Sequence, residues 1–247
     1  TQETTLMCIS NGLGAGLMSN AVWKGVPLAA LLEAAGASKE ARKVKLYGVD
    51  NYADTFPIEK ALEPTTLIAY EMNGERLPDR HGFPARAIVP GYFGEKHVKW
   101  ITRIELAGED AEGFYEKQGW GPDFMVPIRA RIDVPYEEEW IEAATAAKGI
   151  PMKGVAFAGT KGVSRVEVST DDGKNWADAT IDYPGTRLTW VLWSYHWQPE
   201  NPGDYSLTVR ATNGDDELQT FDEKRPFKSG TSGFHKVIAH IYQPRQS

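Results

Sequence analysis

The chain is poor in thiols and imidazoles: 247 residues carry one cysteine and five histidines. The single thiol, Cys8, cannot close an internal disulfide, so it is either a small buried hydrophobe or a functional group. There is no excess of positive charge. The 27 basic side chains against 34 acidic ones leave a formal charge of −7 with no basic block, which argues against nucleic acid or an anionic membrane as the main partner. No apolar run approaches the ~18–20 residues needed to cross a bilayer, and the first residues carry no signal-peptide pattern. A G-x-S-x-G serine-nucleophile motif, internal repeats and low-complexity segments are also lacking. His196, His235 and His240 stand at unrelated strand positions in the second half, with no zinc or calcium spacing there, and read as core or interface histidines.

What is present divides into two halves. Residues 1–125 are mixed. Strand-like segments fall at 4–9, 44–49, 67–70, 85–89 and 98–106, with a short helix predicted at 58–62. Another helix opens at Val26-Pro27-Leu28 and runs through Leu31, Leu32 and Ala35, with Pro27 suited to its first turn and Gly36 to its C-terminal cap. Because the chain enters a strand at once, it reads as a piece of something longer. Residues 122–127 read as a linker. From 126 to 247 the period is two, with strands expected at 129–134, 150–158, 164–169, 177–183, 189–195, 205–212 and 234–242. Seven short strands in this span predict an antiparallel sandwich of immunoglobulin-like type. Trp176, Trp190, Trp193 and Trp197 are expected to fill its core or an interface. The acidic run Glu137–Glu139 reads as a solvated turn or helix start.

Asn11-Gly12-Leu13-Gly14-Ala15-Gly16 has G-x-G-x-G spacing, not the G-x-G-x-x-G of a dinucleotide site, and no helix follows it directly. It is read as a flexible loop or a place of close backbone approach. In Asp79-Arg80-His81-Gly82-Phe83-Pro84-Ala85-Arg86, the His81 and Arg86 side chains can converge on an anion, or form a solvated surface turn. In Gly94-Glu95-Lys96-His97-Val98-Lys99-Trp100, His97 and Lys99 alternate onto one face of an expected strand. With Arg86 they would make a cationic pocket for a phosphorylated small molecule; the alternative is solvated strand-edge charge.

These motifs together resemble the sulfite oxidase family of molybdopterin-dependent oxidoreductases. The resemblance is carried by the segment around Cys8, the Trp23-Lys-Gly-Val-Pro-Leu28 entry, Tyr70-Glu-Met-Asn-Gly-Glu-Arg-Leu-Pro78, His81 to Arg86, Val89-Pro-Gly91, and His97-Val-Lys-Trp100. In the second half it is carried by Gly154-Val-Ala-Phe-Ala-Gly159, Val166-Glu-Val-Ser169, Asp172-Gly173 with Trp176, and Val209-Arg-Ala-Thr212. It implies an α+β molybdopterin-binding domain (1–125), N-terminally truncated, followed by an all-β immunoglobulin-like sandwich (126–247) that is the family's dimerisation domain. It implies a molybdenum–molybdopterin cofactor, with Cys8 as thiolate ligand of the metal. Asp50, His81, Arg86, His97, Val98 and Lys99 would hold the pterin and its phosphate. The implied reaction is two-electron oxygen-atom transfer on a small molecule, with a separate electron carrier such as a cytochrome and a homodimer formed through the sandwich. Three departures stand out. Contacts that the family places before the cysteine are absent, Gly12–Gly16 replaces an Arg-rich signature, and the substrate-side tyrosine falls by spacing at Trp120, with Tyr115 the nearest tyrosine. A tryptophan has no hydroxyl to donate, which argues against sulfite as substrate. The pattern looks closer to bacterial members anchored by upstream membrane spans, which implies an extracytoplasmic location. The competing reading is a cofactor-free binding or assembly module that keeps the fold and dimerises.

Overall fold

The computed structural model describes residues 1–37, 40–221 and 227–244. Their contacts form two units, each discontinuous in sequence. The first gathers residues 1–11, 17–126 and 227–230, the second 12–16, 127–221 and 231–244. No helix among the described residues is long and apolar enough to cross a membrane.

The first unit contains β1 (Gln2–Met7), β2 (Met18–Pro27), α1 (Leu28–Ala34), β3 (Lys43–Gly48), β4 (Ala53–Pro57), α2 (Ile58–Leu62), β5 (Leu67–Met72), β6 (Glu75–Arg76), β7 (Arg86–Ile88), β8 (Ile101–Ala107) and α3 (Phe114–Lys117). One sheet runs β1-β2-β5-β6, with β7 also paired to β5; a second runs β4-β3-β8. The two expected helices form. Behind α1, the Gly36 N–H reaches Glu33 O and the Ala37 N–H reaches Leu32 O, with Gly36 at φ +65°. That is a glycine-dependent Schellman stop. Three strands were not expected, β2, β4 and the two-residue β6. In β2 apolar side chains lie on both faces, Ala21 and Trp23 buried but Val22 and Val26 exposed, and its pairing shifts at Lys24/Gly25. In β4, Asp54, Thr55 and Phe56 are buried in succession, which erases alternation.

The expected strand at 98–106 is shorter than predicted, and its site residues lie before it. A tight turn over Gly94–Lys96 precedes His97, Trp100 sits at φ +51°, and β8 begins only at Ile101. His97 and Lys99 therefore do not alternate on a strand face. The 122–127 segment is not a slack linker either. Phe124 and Val126 are buried, the Phe93 N–H bonds to Phe124 O, and the Val126 N–H bonds to Gly91 O.

The second unit is a two-sheet sandwich of β9 (Arg129–Val134), β10 (Glu139–Glu142), α4 (Ala143–Ala146), β11 (Ile150–Phe157), β12 (Val163–Ser169), β13 (Ala177–Asp178), β14 (Thr180–Tyr183), β15 (Val191–Trp197), β16 (Gly203–Asn213) and β17 (His235–Tyr242). The sheets are ordered β10-β17-β16-β12-β13 and β14-β15-β11-β9. One shared core holds Ile132, Met152, Val168, Trp193, Trp197, Val209 and Ala239. Trp193 and Trp197 thus fill the core, whereas Trp176 and Trp190 are half-buried. The segment expected as one strand at 177–183 is two, one on each sheet. The acidic run is not simply solvated. Glu139 starts β10, which lies parallel to β17 and buries Ile141. The histidines differ from one another. His196 is exposed, His235 accepts the Ile132 N–H at 3.1 Å, and His240 stacks on Trp140 at 4.3 Å between Asp204 and Glu138.

At Gly154, where the β9–β11 pairing shifts, a Cβ would stand 1.8 Å from the Arg131 carbonyl oxygen and 2.7 Å from the Trp193 ring. Backbone on one side and a buried indole on the other leave nowhere to move. Gly154→Ala is expected to destabilise the protein by about 3 kcal/mol, read as a lower urea midpoint with no change in secondary-structure content.

Candidate functional site

Cys8 is the first residue beyond β1. Its N–H bonds to Leu17 O at 3.0 Å, extending the β1–β2 pairing by one rung, and its carbonyl accepts the Asn11 N–H at 3.0 Å. The Asn11 side chain then accepts the Leu17 N–H at 2.9 Å, closing the neck of the loop. The alternation of β1 buries Met7 and turns Cys8 outward. The thiol is exposed, with the Ser10 hydroxyl 3.0 Å away. The glycines behind it have a definite role. In the second unit, Arg129 donates to Gly12 O at 2.5 Å and Arg131 to Ala15 O at 2.6 Å, and a Cβ on Gly14 would lie 2.5 Å from the His235 ring. Close approach, not flexibility, explains Gly14.

The thiol faces a cavity of about 530 Å³, within the range of small-molecule and cofactor sites. Among the residues expected at the site, Cys8, Asp50, His97, Val98, Lys99 and Tyr115 line it; His81, Arg86 and Trp120 do not. Asp50 is exposed, and its carboxylate accepts the Tyr52 N–H at 3.1 Å. Lys99 donates to Arg80 O at 3.2 Å and lies 4.0 Å from the Trp100 ring centroid. Burial and the charge of Arg86 push its ammonium below the usual lysine range.

Arg86 works from behind the wall. It is buried, stacks its guanidinium 4.9 Å from the Trp23 ring, and donates to His81 O at 3.0 Å and His97 O at 3.3 Å. Its Nε has no hydrogen-bond partner among the described residues. Burial alone brings the guanidinium down to about 10. His81 sits in a turn packed on Arg86 and Lys99, where a Cβ on Gly82 would meet the Cβ of each at 3.0 Å. Burial and the charges of Arg80, Arg86 and Lys99 hold its imidazole below the usual range. His97 has no nitrogen to spare. Nδ1 accepts the Val89 N–H at 3.2 Å and Nε2–H donates to Tyr92 O at 3.2 Å, so the ring braces the wall and does not reach for a ligand.

Tyr115 and Trp120 exchange their expected places. Trp120 packs edge-on against Tyr115, with ring centroids 5.6 Å apart, and lines a separate cavity with Glu109 and Glu116. Tyr115 is the one that reaches the Cys8 cavity, and burial together with the proximity of Cys8 raises its phenol. Among the lining residues not expected at the site from sequence are the ionisable pair Tyr52 and Glu95. Glu95 is pushed up to about 8, chiefly by burial, and its Oε1 is buried without a partner among the described residues. A glutamate directly after the His97-bearing turn's first glycine carries no local signal of this kind.

The donor set is that of a site for a preassembled metal group. Among the described residues no cluster of three His, Cys, Asp or Glu side chains could hold a metal. The chain instead offers one soft, exposed sulfur, a cationic side at Lys99 with an incompletely bonded guanidinium behind it, and an acceptor at Asp50. That set fits an anionic organic cofactor that brings the other metal ligands itself.

Comparison with known proteins decides which cofactor. Residues 1–115 match the family described as oxidoreductase molybdopterin binding domain, and residues 123–223 match the Mo-co oxidoreductase dimerisation domain. The chain belongs to the sulfite oxidase family of molybdopterin-dependent oxidoreductases. Its cofactor is molybdenum–molybdopterin. Relatives include an NADH nitrate reductase of Solanum lycopersicum, 32% identical over 90% of this chain and 29% of that protein. Human mitochondrial sulfite oxidase is 32% identical over 81% of this chain and 42% of that protein. The chain thus spans less than half the length of these relatives. The fold is also that of the sulfane dehydrogenase SoxCD from Paracoccus pantotrophus, with TM-score 0.77 and 22% identity over 98% of this chain and 71% of that one.

Proposed function

We propose that this chain carries the metal-binding face of a molybdenum oxidoreductase that performs two-electron oxygen-atom transfer on a small substrate, with the Cys8 thiolate as the protein ligand to the metal. The observation that carries the reading is the exposed Cys8 thiol opening into the cavity shared with Asp50, Lys99 and Tyr115. The cofactor, when bound, supplies the oxygen-atom and electron chemistry. The chain positions it. Lys99 offers an ammonium to the anionic end, Asp50 accepts from ring N–H groups, and the His97–Arg86–Trp23 stack keeps that wall rigid.

Tyr115 presents a phenol that stays protonated and can donate to a substrate oxygen. In this reading Tyr115, and not Trp120, supplies the hydroxyl on the substrate side, which keeps sulfite among the candidate substrates. Small sulfur and nitrogen oxo-compounds, the anion sulfite and neutral sulfoxides and N-oxides, form the class to screen, with a separate electron carrier closing the cycle. The match to the dimerisation domain, and exposed Tyr136, Trp140 and Tyr242 on the second unit, support a homodimer through the sandwich. Sedimentation of the intact protein is expected to show it, and a monomer at high concentration would remove it.

Cys8→Ser is expected to abolish retained molybdenum and oxygen-atom transfer together, while leaving the urea midpoint unchanged because the side chain is exposed. Metal analysis of the unsubstituted parent and the variant, both expressed with ample molybdate, provides the check. Equal, non-zero metal content in parent and variant would remove Cys8 as the ligand, and no molybdenum in either would return the chain to the cofactor-free module.

A further inference from the structure

Beneath the cavity floor lies a line of ionisable groups that cofactor binding does not use. Tyr52 lines the Cys8 cavity, and its hydroxyl is 2.7 Å from Asp54 Oδ2 and 2.9 Å from Glu95 O. Asp54 Oδ1 accepts from Lys96 Nζ at 2.7 Å, and the same ammonium is 3.5 Å from Glu116 Oε1. Glu116 also accepts from the Thr55 hydroxyl at 2.8 Å and lines a second cavity of about 310 Å³ with Lys43 and Glu109. Both central groups are enclosed, the Asp54 side chain 0% and the Lys96 side chain 1% exposed, with Lys96 Nζ 3.7 Å from the Phe124 ring centroid.

Such a pair is an expensive way to fill a core, since well-packed apolar side chains of like volume stabilise as much or more. The surrounding backbone is also shaped to accommodate it. A Cβ at Gly113 would fall 2.1 Å from Asp54 Oδ1. The line has polar ends in two different cavities and no break longer than the Lys96–Glu116 contact.

We propose that Tyr52, Asp54, Lys96 and Glu116 form a proton relay between the Cys8 cavity and the second cavity, a proposal that rests on the oxidoreductase reading above. Oxygen-atom transfer coupled to water takes up or releases protons, and a wired path gives them a route besides the open mouth of the cavity. In one passage the Tyr52 oxygen takes a proton from cavity water as its own hydroxyl proton moves to Asp54. Lys96 gives one proton to Glu116 and recovers one from Asp54, and Glu116 releases its proton to water in the second cavity. One proton crosses and each group returns to its starting charge.

Two readouts test this. In cofactor-free protein labelled with ¹⁵N-lysine, the Lys96 ammonium hydrogens, each rate divided by that of the same group fully exposed, are expected to be protected from D₂O at least about tenfold less than the core amides of Leu46 and Phe56. Protection equal to that of those amides overturns the relay, whatever the loaded enzyme does. In molybdenum-loaded protein, Tyr52→Phe keeps the ring packed on Phe114 and Tyr115 and removes only the hydroxyl. It is expected to lower kcat about tenfold or more with KM and molybdenum content unchanged, and small proton-carrying buffers should restore part of the loss. The Asp54→Asn/Lys96→Met double variant is expected to do the same without leaving an unpaired charge. Unchanged kcat in both variants overturns the relay and leaves the oxidoreductase reading standing. A parent that never retains molybdenum overturns that reading, and the exchange measurement then decides the relay by itself.

Discussion

Lys96→Met alone is expected to destabilise the protein by about 3–5 kcal/mol, the largest loss among single substitutions considered. The reason is asymmetry. Lys96 and Asp54 are enclosed at 1% and 0% side-chain exposure, so removing the ammonium strands a carboxylate with no water to receive it. Burial already pushes Asp54 above the usual carboxylate range, opposed by Lys96. Without Lys96 that opposition goes and the group protonates, keeping the Tyr52 and Thr55 donors but losing its strongest partner. Pairing the change with Asp54→Asn should recover more than half of the loss, because no buried charge is left and the amide oxygen still accepts from one of the two donors, Tyr52 or Thr55. Urea denaturation of both singles and the double gives the coupling energy directly. Near-additive losses would mean that the pair does not act as a unit.

Stability is expected to depend on pH through His97. Its ring is enclosed and both nitrogens are committed, and burial together with the Arg86 charge pushes it from 6.5 down to about 3. Between those values the unfolded chain takes up a proton that the folded one refuses. The His97 contribution is therefore complete above about pH 6.5 and is lost as pH falls toward 3, at up to ~1.4 kcal/mol per pH unit and about 4–5 kcal/mol across the window. Glu95 works in the opposite sense. Raised from 4.5 to about 8 by burial, its contribution is complete below 4.5 and is lost as pH rises through 8. The two slopes oppose each other between pH 4.5 and 6.5. Denaturation across pH should show the Glu95 decline between 6.5 and 8, absent in Glu95→Gln, and the His97 decline below 4.5, absent in His97→Gln. Parallel curves for wild type and His97→Gln would remove the assignment.

Much of the cavity was legible before any coordinates. Cys8, Asp50, Lys99 and Tyr115 were named from family motifs, and all line it. Helices α1 and α2 and strand β9 were legible because local signals agreed, Pro before each helix, Gly after α1, strict alternation in Arg129–Val134. What escaped reading depended on distant partners. Asp54 reads locally as a polar residue at a strand edge, and only Lys96, forty-two positions on, makes it a core residue. His97 and Arg86 read as ligand groups because their types suit anions; their commitment to Val89, Tyr92 and backbone carbonyls emerges only when three segments meet. β2 and β4 escaped because burial on both faces, or of successive residues, removes the period on which strand reading depends.

The discontinuity of the two units bears on how the chain acquires its fold. In the first unit, the Lys228 ammonium donates to Gln118 O at 2.9 Å, the Ser229 hydroxyl to Gly121 O at 2.7 Å, and the Gly121 N–H to Lys228 O at 2.9 Å. Those bonds close loops of more than a hundred residues. In the second unit, Gly12–Gly16 must wait for Arg129, Arg131 and His235. Neither unit can be finished during synthesis until residues 228–235 have been made, so the first unit cannot mature before the second has emerged. The loop that carries Cys8 at its base is fastened to His235 only after that segment exists.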